Sequence, residues 1–241
     1  MTEILKVEGL TKHFGGVTAN DGISFDVREG EIIGVIGPNG AGKSTLFDLL
    51  TGFQNPSEGT VILDGRDITG LRPDRIARMG VGRTFQKLKP FPDLTLLENV
   101  MIGALAHTSH MHEARDHALE TIAFVDLLEK RHSFARELST GQRKRLEMAR
   151  ALATQPRLLL MDEVTGGVDQ KTIPGLINLV LALRDKGITI LTIEHNMKVM
   201  MDVSDRILAL QFGKRIAFGK PEKVRNDPHV VDAYLGKADA A

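Results

Sequence analysis

Short apolar runs alternate along the chain with segments whose apolar positions recur at helical spacing, a texture that predicts strands connected by helices. Ile4 to Val7 alternates, Thr11 to Gly16 reads as a turn, and Ile23-Ser24-Phe25-Asp26-Val27 alternates strictly, as a half-buried antiparallel strand does. Glu31 to Ile36, Leu158 to Met161 and Ile188 to Ile193 are nearly unbroken apolar runs, the pattern of strands buried on both faces. Leu46 to Leu50 is apolar at helical spacing, Val61 to Leu63 with the Asp64-Gly65 turn predicts a short hairpin, and Pro73 to Met79 predicts a brief helix. From Val81 the texture changes. Pro90 and Pro92 keep their segment non-helical, and helical patterns then cover Leu96 to Ala104, His112 to Val125 and Thr140 to Ala153. Ile173 to Lys186 predicts a helix whose first turn holds Pro174 and Gly175, with Gly187 as its C-terminal cap. Arg206 to Leu210 and Arg215 to Phe218 are strand-like, and a short helix runs from Pro221. The expectation is one α/β domain, with a core of residues 1–87 and 156–236, a helical lobe of residues 88–155 inserted into it, and a loose tail at 237–241.

Composition narrows the picture by exclusion. The 31 basic and 31 acidic residues balance, so charge implies no nucleic-acid partner. There is no cysteine, which excludes disulfides and thiolate metal sites. No apolar run reaches the length of a membrane span, and the N-terminus lacks a signal-peptide pattern. A cytosolic protein is expected, with any membrane role peripheral.

The chemistry gathers around Gly37-Pro38-Asn39-Gly40-Ala41-Gly42-Lys43-Ser44-Thr45, which fits the phosphate-cradling pattern G-x-x-x-x-G-K-[ST] between a predicted strand and a predicted helix. Glycines let successive N–H groups converge on one anion, and the helix start adds its positive dipole end. Lys43 would reach the β- and γ-phosphates of a nucleoside triphosphate, and the Ser44 hydroxyl would ligate Mg²⁺.

In a parallel sheet the C-terminal ends of the strands lie along one edge, where ligands bind. The runs ending at Ile36, Met161 and Ile193 would bring to that edge the phosphate loop, the carboxylates of Asp162 and Glu163, and the imidazole of His195. Asp162 would hold Mg²⁺, and Glu163, leaving the strand in another direction, would polarise a water facing the γ-phosphate as general base. Leu138-Ser139-Thr140-Gly141-Gln142 opens a helix with a capping-box pattern, and a Ser-capped helix start is also an anion site. Since the chain already has one phosphate loop, this second site suggests service to a nucleotide held by another copy.

In these motifs, their order and their spacing, the chain resembles the ATP-binding cassette ATPases, the nucleotide-hydrolysing subunits of membrane transporters, from Leu5 to Gly236. The resemblance implies a phosphate-loop NTPase core of mainly parallel sheet, an antiparallel β subdomain and an inserted α-helical subdomain. Gly37, Asn39, Gly40, Gly42, Lys43, Ser44 and Thr45 match the first nucleotide motif, and Asp162 with Glu163 the second. Gln86 matches the glutamine-loop residue that contacts Mg²⁺ and sits against the transmembrane partner. His195 matches the switch histidine at the γ-phosphate, and Phe14 the aromatic that stacks on adenine. Ser139, Gly141 and Gln142 belong to the family signature, with Thr140 where a glycine is usual. Val164 to Asp169 departs from the family's Pro-x-Ala-Gly-Leu-Asp but keeps Asp169, the aspartate that communicates across the dimer. The implied cofactors are ATP and Mg²⁺. The implied partners are transmembrane permease subunits, a second ATPase subunit (a copy or a paralogue) and, indirectly, a periplasmic binding protein, at the cytoplasmic face of the inner membrane.

Gly82 to Gln86, Leu97 to Val100 and the tail Asp227 to Gly236 are similar to the ATPases of importers for branched-chain and related hydrophobic amino acids or amides. A lipopolysaccharide-export ATPase, which carries a similar ending, is the alternative, with a soluble non-transport cassette behind it. His107, His110, His112 and His117 read as a solvated helical face, and Met197, Met200 and Met201 as core packing.

Overall fold

The computed structural model describes residues 2–85, 90–194 and 196–235. The long strands β1 (Glu3–Phe14) and β2 (Val17–Arg28) form an antiparallel hairpin, followed by β3 (Ile32–Ile36) and helix α1 (Lys43–Leu50). Then come β4 (Glu58–Leu63), β5 (Arg66–Asp67), α2 (Pro73–Arg78) and β6 (Val81–Arg83). Helices α3 (Leu96–Ala104), α4 (Met111–Phe124) and α5 (Thr140–Leu152) lead back to β7 (Leu158–Asp162). The chain closes with α6 (Ile173–Asp185), β8 (Thr189–Ile193), α7 (Met197–Val203), β9 (Arg206–Gln211), β10 (Lys214–Gly219), α8 (Pro221–Arg225) and α9 (Pro228–Leu235).

The strands form two sheets. One is antiparallel, in the order β2-β1-β4-β5. The other runs β10-β9-β3-β8-β7-β6 and is parallel except for β10 at its edge. Every residue of β3, β7 and β8 is buried, as unbroken apolar runs require when both faces are covered. Successive side chains divide between the two faces. Leu159, Met161 and Ile190 pack with α3, α4, α5 and α6, whereas Leu158, Leu160, Leu191 and Ile193 pack with α1 and the antiparallel sheet. A smaller core joins Ile36, Ile207 and Ala209 to Met200 of α7, Val224 of α8 and Val230 of α9, with Met197 and Met201 against it.

Charged staples tie the two sheets together. Arg206 of β9 donates to Glu31 at 2.6 Å and to Asp26 of β2 at 2.9 Å, and that bond holds the Asp26 carboxyl below its ordinary range. Arg157 likewise reaches Glu29 at 2.6 Å and Asp64.

Some elements differ from the sequence expectation. Val81–Arg83 is a strand, pairing with β7, although only three residues long and mostly not apolar. The tail from Pro228 to Leu235 is a helix. Pro174 does not disrupt α6 because it occupies the first turn, where no intrahelical N–H is needed. Phe14, matched in sequence to the adenine-stacking aromatic, is 46 % exposed at the tip of the hairpin, with the Lys12 ammonium 5.0 Å above its ring. No helix among the described residues is long and apolar enough to cross a membrane.

Candidate active site

The loop between β3 and α1 is shaped by contacts that admit no side chain. A Cβ on Gly37 would lie 2.3 Å from the Leu210 carbonyl oxygen, and one on Gly42 would lie 2.3 Å from that of Ala19. Gly42 also has φ 98°, a left-handed turn that brings α1 to begin at Lys43. The loop is anchored to its surroundings by the Gly213 N–H, which donates to Ala41 at 3.2 Å, and by the Asn20 amide, which donates to Gly42 at 3.2 Å. Lys43 is buried, and its ammonium donates to the loop's own carbonyls, Gly37 at 2.7 Å and Pro38 at 3.1 Å. Burial pulls its pKa down, opposed by the charges of Glu163 and Asp162.

A cavity of about 600 Å³ opens over this loop, walled by Asn39 to Thr45, Val17 to Ala19 of the hairpin, Glu163 and Phe212. A second, of about 760 Å³, lies between α1, α2 and β6 on one side and α3 and α5 on the other. Ser44 lines both, with Glu163 on the first and Asp162 on the second. The two adjacent acidic residues therefore border neighbouring cavities that share Ser44. Asp162, the last residue of β7, is buried, and desolvation raises its pKa against the opposing charges of Arg83 and Lys144.

Glu163 has φ 53°, an uncommon conformation for a residue with a side chain. Its N–H donates to Ile193 at 2.9 Å, and its carbonyl accepts from Gly166 at 3.2 Å and from the Lys144 ammonium. Lys144 is buried on α5. Desolvation lowers its pKa, and the charges of Glu194, Glu163, Asp162 and Glu147 oppose that.

Ser139 caps α5 through a complete capping box, its Oγ accepting from the Gln142 N–H at 3.3 Å and its own N–H donating to Gln142 Oε1 at 3.0 Å. Ser139 and Thr140 are exposed, and neither Ser139 nor Gly141 lines the cavity over the phosphate loop. Gly141 sits against Thr172, whose methyl would lie 2.8 Å from an added Cβ. Thr172 in turn donates to the Asp169 carboxylate at 2.9 Å from its backbone and 3.0 Å from its hydroxyl, which lowers the Asp169 pKa.

The structure thus groups Lys43, Ser44, Thr45, Asp162 and Glu163, and it holds Ser139, Gly141, Gln142 and Asp169 on a separate surface of the same chain. Phe14 pairs with Val17, which lines the loop cavity, but Phe14 itself does not line it. Gln86 and His195 lie outside the described residues. Phe212 was not foreseen. It is 82 % exposed with φ 49° and borders the loop cavity from the β9–β10 turn, and the Phe-Gly pair in a two-residue hairpin was its only signal.

Residues 20–166 match the family model described as ABC transporter. The chain belongs to the ABC transporter family. It is an ATP-binding cassette ATPase, and residues 214–240 also match the model described as branched-chain amino acid ATP-binding cassette transporter. The cassette is 41 % identical to the "high-affinity branched-chain amino acid transport ATP-binding protein LivG" of Salmonella typhimurium, over 98 % of each chain. It is 40 % identical to BraF of Pseudomonas aeruginosa, described in the same terms, again over 98 % of each. Among solved structures it resembles the ADP conformation of MJ1267, an ATP-binding cassette of an ABC transporter, with TM-score 0.89, 36 % identity and coverage of 98 % of this chain and 100 % of that one. It also resembles the dimeric, post-hydrolysis MJ0796 cassette bound to ADP and Pi, with TM-score 0.82, 29 % identity and coverage of 90 % and 99 %.

Proposed function

We propose that this cassette hydrolyses ATP to power import of branched-chain or related hydrophobic amino acids through separate permease subunits, as a peripheral protein at the cytoplasmic face of the cell membrane. The observation that carries the reading is that Asp162 and Glu163 border two cavities sharing Ser44 of the phosphate loop. Relatives described as branched-chain amino acid transport proteins, matched nearly end to end, support the substrate class.

The residues fit magnesium and a triphosphate. Ser44 and Asp162 are hard oxygen donors, and the Asp162 carboxyl, desolvated with its pKa raised, is a site where a cation relieves an electrostatic cost. Mg²⁺, held by Ser44 and Asp162 with Gln86, would neutralise phosphate charge and help align the leaving group. Lys43 trades its bonds to Gly37 and Pro38 for phosphate oxygens. Glu163 takes a proton from water at the loop cavity, His195 is assigned to the γ-phosphate, and Phe14 to the adenine.

Two cassettes meet head to tail, so that Ser139, Gly141 and Gln142 of one close on the nucleotide over Lys43 of the other, with Asp169 beside them. Dimeric relatives among the matched structures and the exposure of Ser139 away from its own loop cavity support this pairing. Residues 88–155 act as a lobe that passes closure to the permease. The surface that meets the permease is the larger cavity, where Phe53 and Phe85 of the core and Ile102 of the lobe are all exposed.

Glu163→Gln should bind ATP, lose nearly all turnover and accumulate as a dimer. Hydrolysis by that variant at the wild-type rate would remove the general base from the scheme.

A further inference from the structure

Lys144 has no part in the chemistry above, yet it is a buried ammonium among four acidic residues, Asp162, Glu163, Glu194 and Glu147, whose charges all act on it. Burying a cation is costly unless strong acceptors surround it. Among the described residues its direct bond is to the backbone carbonyl of Glu163. That carbonyl belongs to the residue held at φ 53°, in a region that side-chain-bearing residues occupy only where the surroundings hold them there. Gly166 donates to the same oxygen at 3.2 Å, and Ile193 accepts from the Glu163 N–H at 2.9 Å. Those two restraints come from the loop itself and from β8. Lys144 alone among these bonds comes from α5.

Helix α5 starts at the Ser139 cap, and Lys144 is five residues further on, about 7.5 Å along the axis. A helix transmits displacement over that distance as a rigid body. The tip of α5 is also braced against the loop after Glu163, since Gly141 packs on Thr172 and Thr172 bonds Asp169. One short helix thus carries, at one end, the serine offered to another molecule's nucleotide and, within two turns, the ammonium that fixes the backbone of this molecule's own glutamate.

We propose that Lys144 is a positioning residue that couples the two nucleotide sites of a cassette pair. Seating of Ser139 on the partner's nucleotide sets α5, and Lys144 then sets the Glu163 carbonyl, and with it the carboxylate, for the water at the cassette's own nucleotide. The inference rests on the paired reading above. Each site then reports its occupancy to the other through covalently continuous helix.

The test uses the full-length protein with MgATP and the variants Lys144→Met, Lys144→Gln and Lys144→Arg. Met and Gln remove the charge and the reach, and Gln, being polar, guards against misfolding of the Met variant. Both should bind a fluorescent ATP analogue within about twofold of wild type, because the phosphate loop is untouched, and both should still pair in a Glu163→Gln background. Their turnover should fall about 10- to 100-fold, the scale of a misplaced catalytic group. The Hill coefficient for ATP should fall from near two toward one. Arg, which keeps charge and donors, should recover most of both. Wild-type turnover and cooperativity in either the Met or the Gln variant would overturn the role of Lys144 while leaving the pair intact. A wild-type protein without cooperativity, whose Glu163→Gln variant also fails to pair, would remove the paired reading and this coupling with it.

Discussion

Thr165 binds Glu194 twice, its backbone N–H donating to one carboxylate oxygen at 2.8 Å and its hydroxyl to the other at 2.7 Å. The contact joins the loop that carries Glu163 to the exit of β8, the segment that continues to His195. Glu194 is buried, and desolvation raises its pKa while the Thr165 bonds work in the opposite direction. A carboxyl whose folded pKa is raised binds its proton more readily in the native state. Its contribution to stability is therefore complete below the unfolded pKa and is lost as pH rises through the folded one.

Thr165→Val keeps the shape of the side chain and removes the hydroxyl. At pH 8 the ionised Glu194 then lacks one donor, and the protein should lose about 1–3 kcal/mol, the cost of leaving a buried polar group unsatisfied. Acidification lets the carboxyl take a proton, so the loss should shrink toward pH 5. Urea unfolding of both proteins at the two pH values measures it, and a pH-independent difference would mean that the hydroxyl does not act on the charge of Glu194.

Much of this site can be read from the chain because local rules decide it. The apolar run of β3, the glycine spacing before α1 and the box of Ser139 with Gln142 are written in adjacent residues, although the path of the loop also answers to Leu210 and Ala19. Lys144 is different. Thr140 to Arg145 carries no large apolar residue, yet Lys144 is 6 % exposed, near enough to Asp162, Glu163 and Glu194 for their charges to act on it. The left-handed turn at Glu163 is equally hidden, since no glycine marks it. The strand Val81–Arg83 forms because β7 offers it an unpaired edge, a condition absent from its own composition. Tertiary partners decide these features, and periodicity carries none of that information.

Phe212 pairs two unfavourable features, 82 % exposure and φ 49°. A left-handed backbone costs a side-chain-bearing residue roughly 1–2 kcal/mol, less for asparagine, and an exposed phenylalanine gains nothing from burial. Phe212→Asn should therefore stabilise the free protein by about 1 kcal/mol. If the ring forms part of the nucleotide wall, as its place beside Asn39 and Gly40 implies, ATP affinity should fall several-fold in the same variant. Thermal unfolding and an ATP titration on one preparation separate the effects. A stabilised variant with unchanged affinity would leave the ring without a role at the nucleotide.

Ser139 offers the sharpest separation of a local role from an intermolecular one. Its local role is the cap, and replacing a capping serine by a residue that cannot cap costs about 1 kcal/mol. Ser139→Ala and Ser139→Arg should therefore lose similar stability. They differ in what they present outward. Alanine leaves the helix start open, so a second molecule's phosphate can still approach the N–H groups of α5. Arginine fills that approach with a long side chain. Each variant should bind ATP at the phosphate loop as wild type does, because Ser139 does not line that cavity. In a Glu163→Gln background, nucleotide-driven pairing measured by light scattering should weaken for alanine and disappear for arginine, and ATPase activity should follow the same order. Normal turnover by Ser139→Arg would leave the serine with its cap alone and would return the whole of hydrolysis to a single subunit.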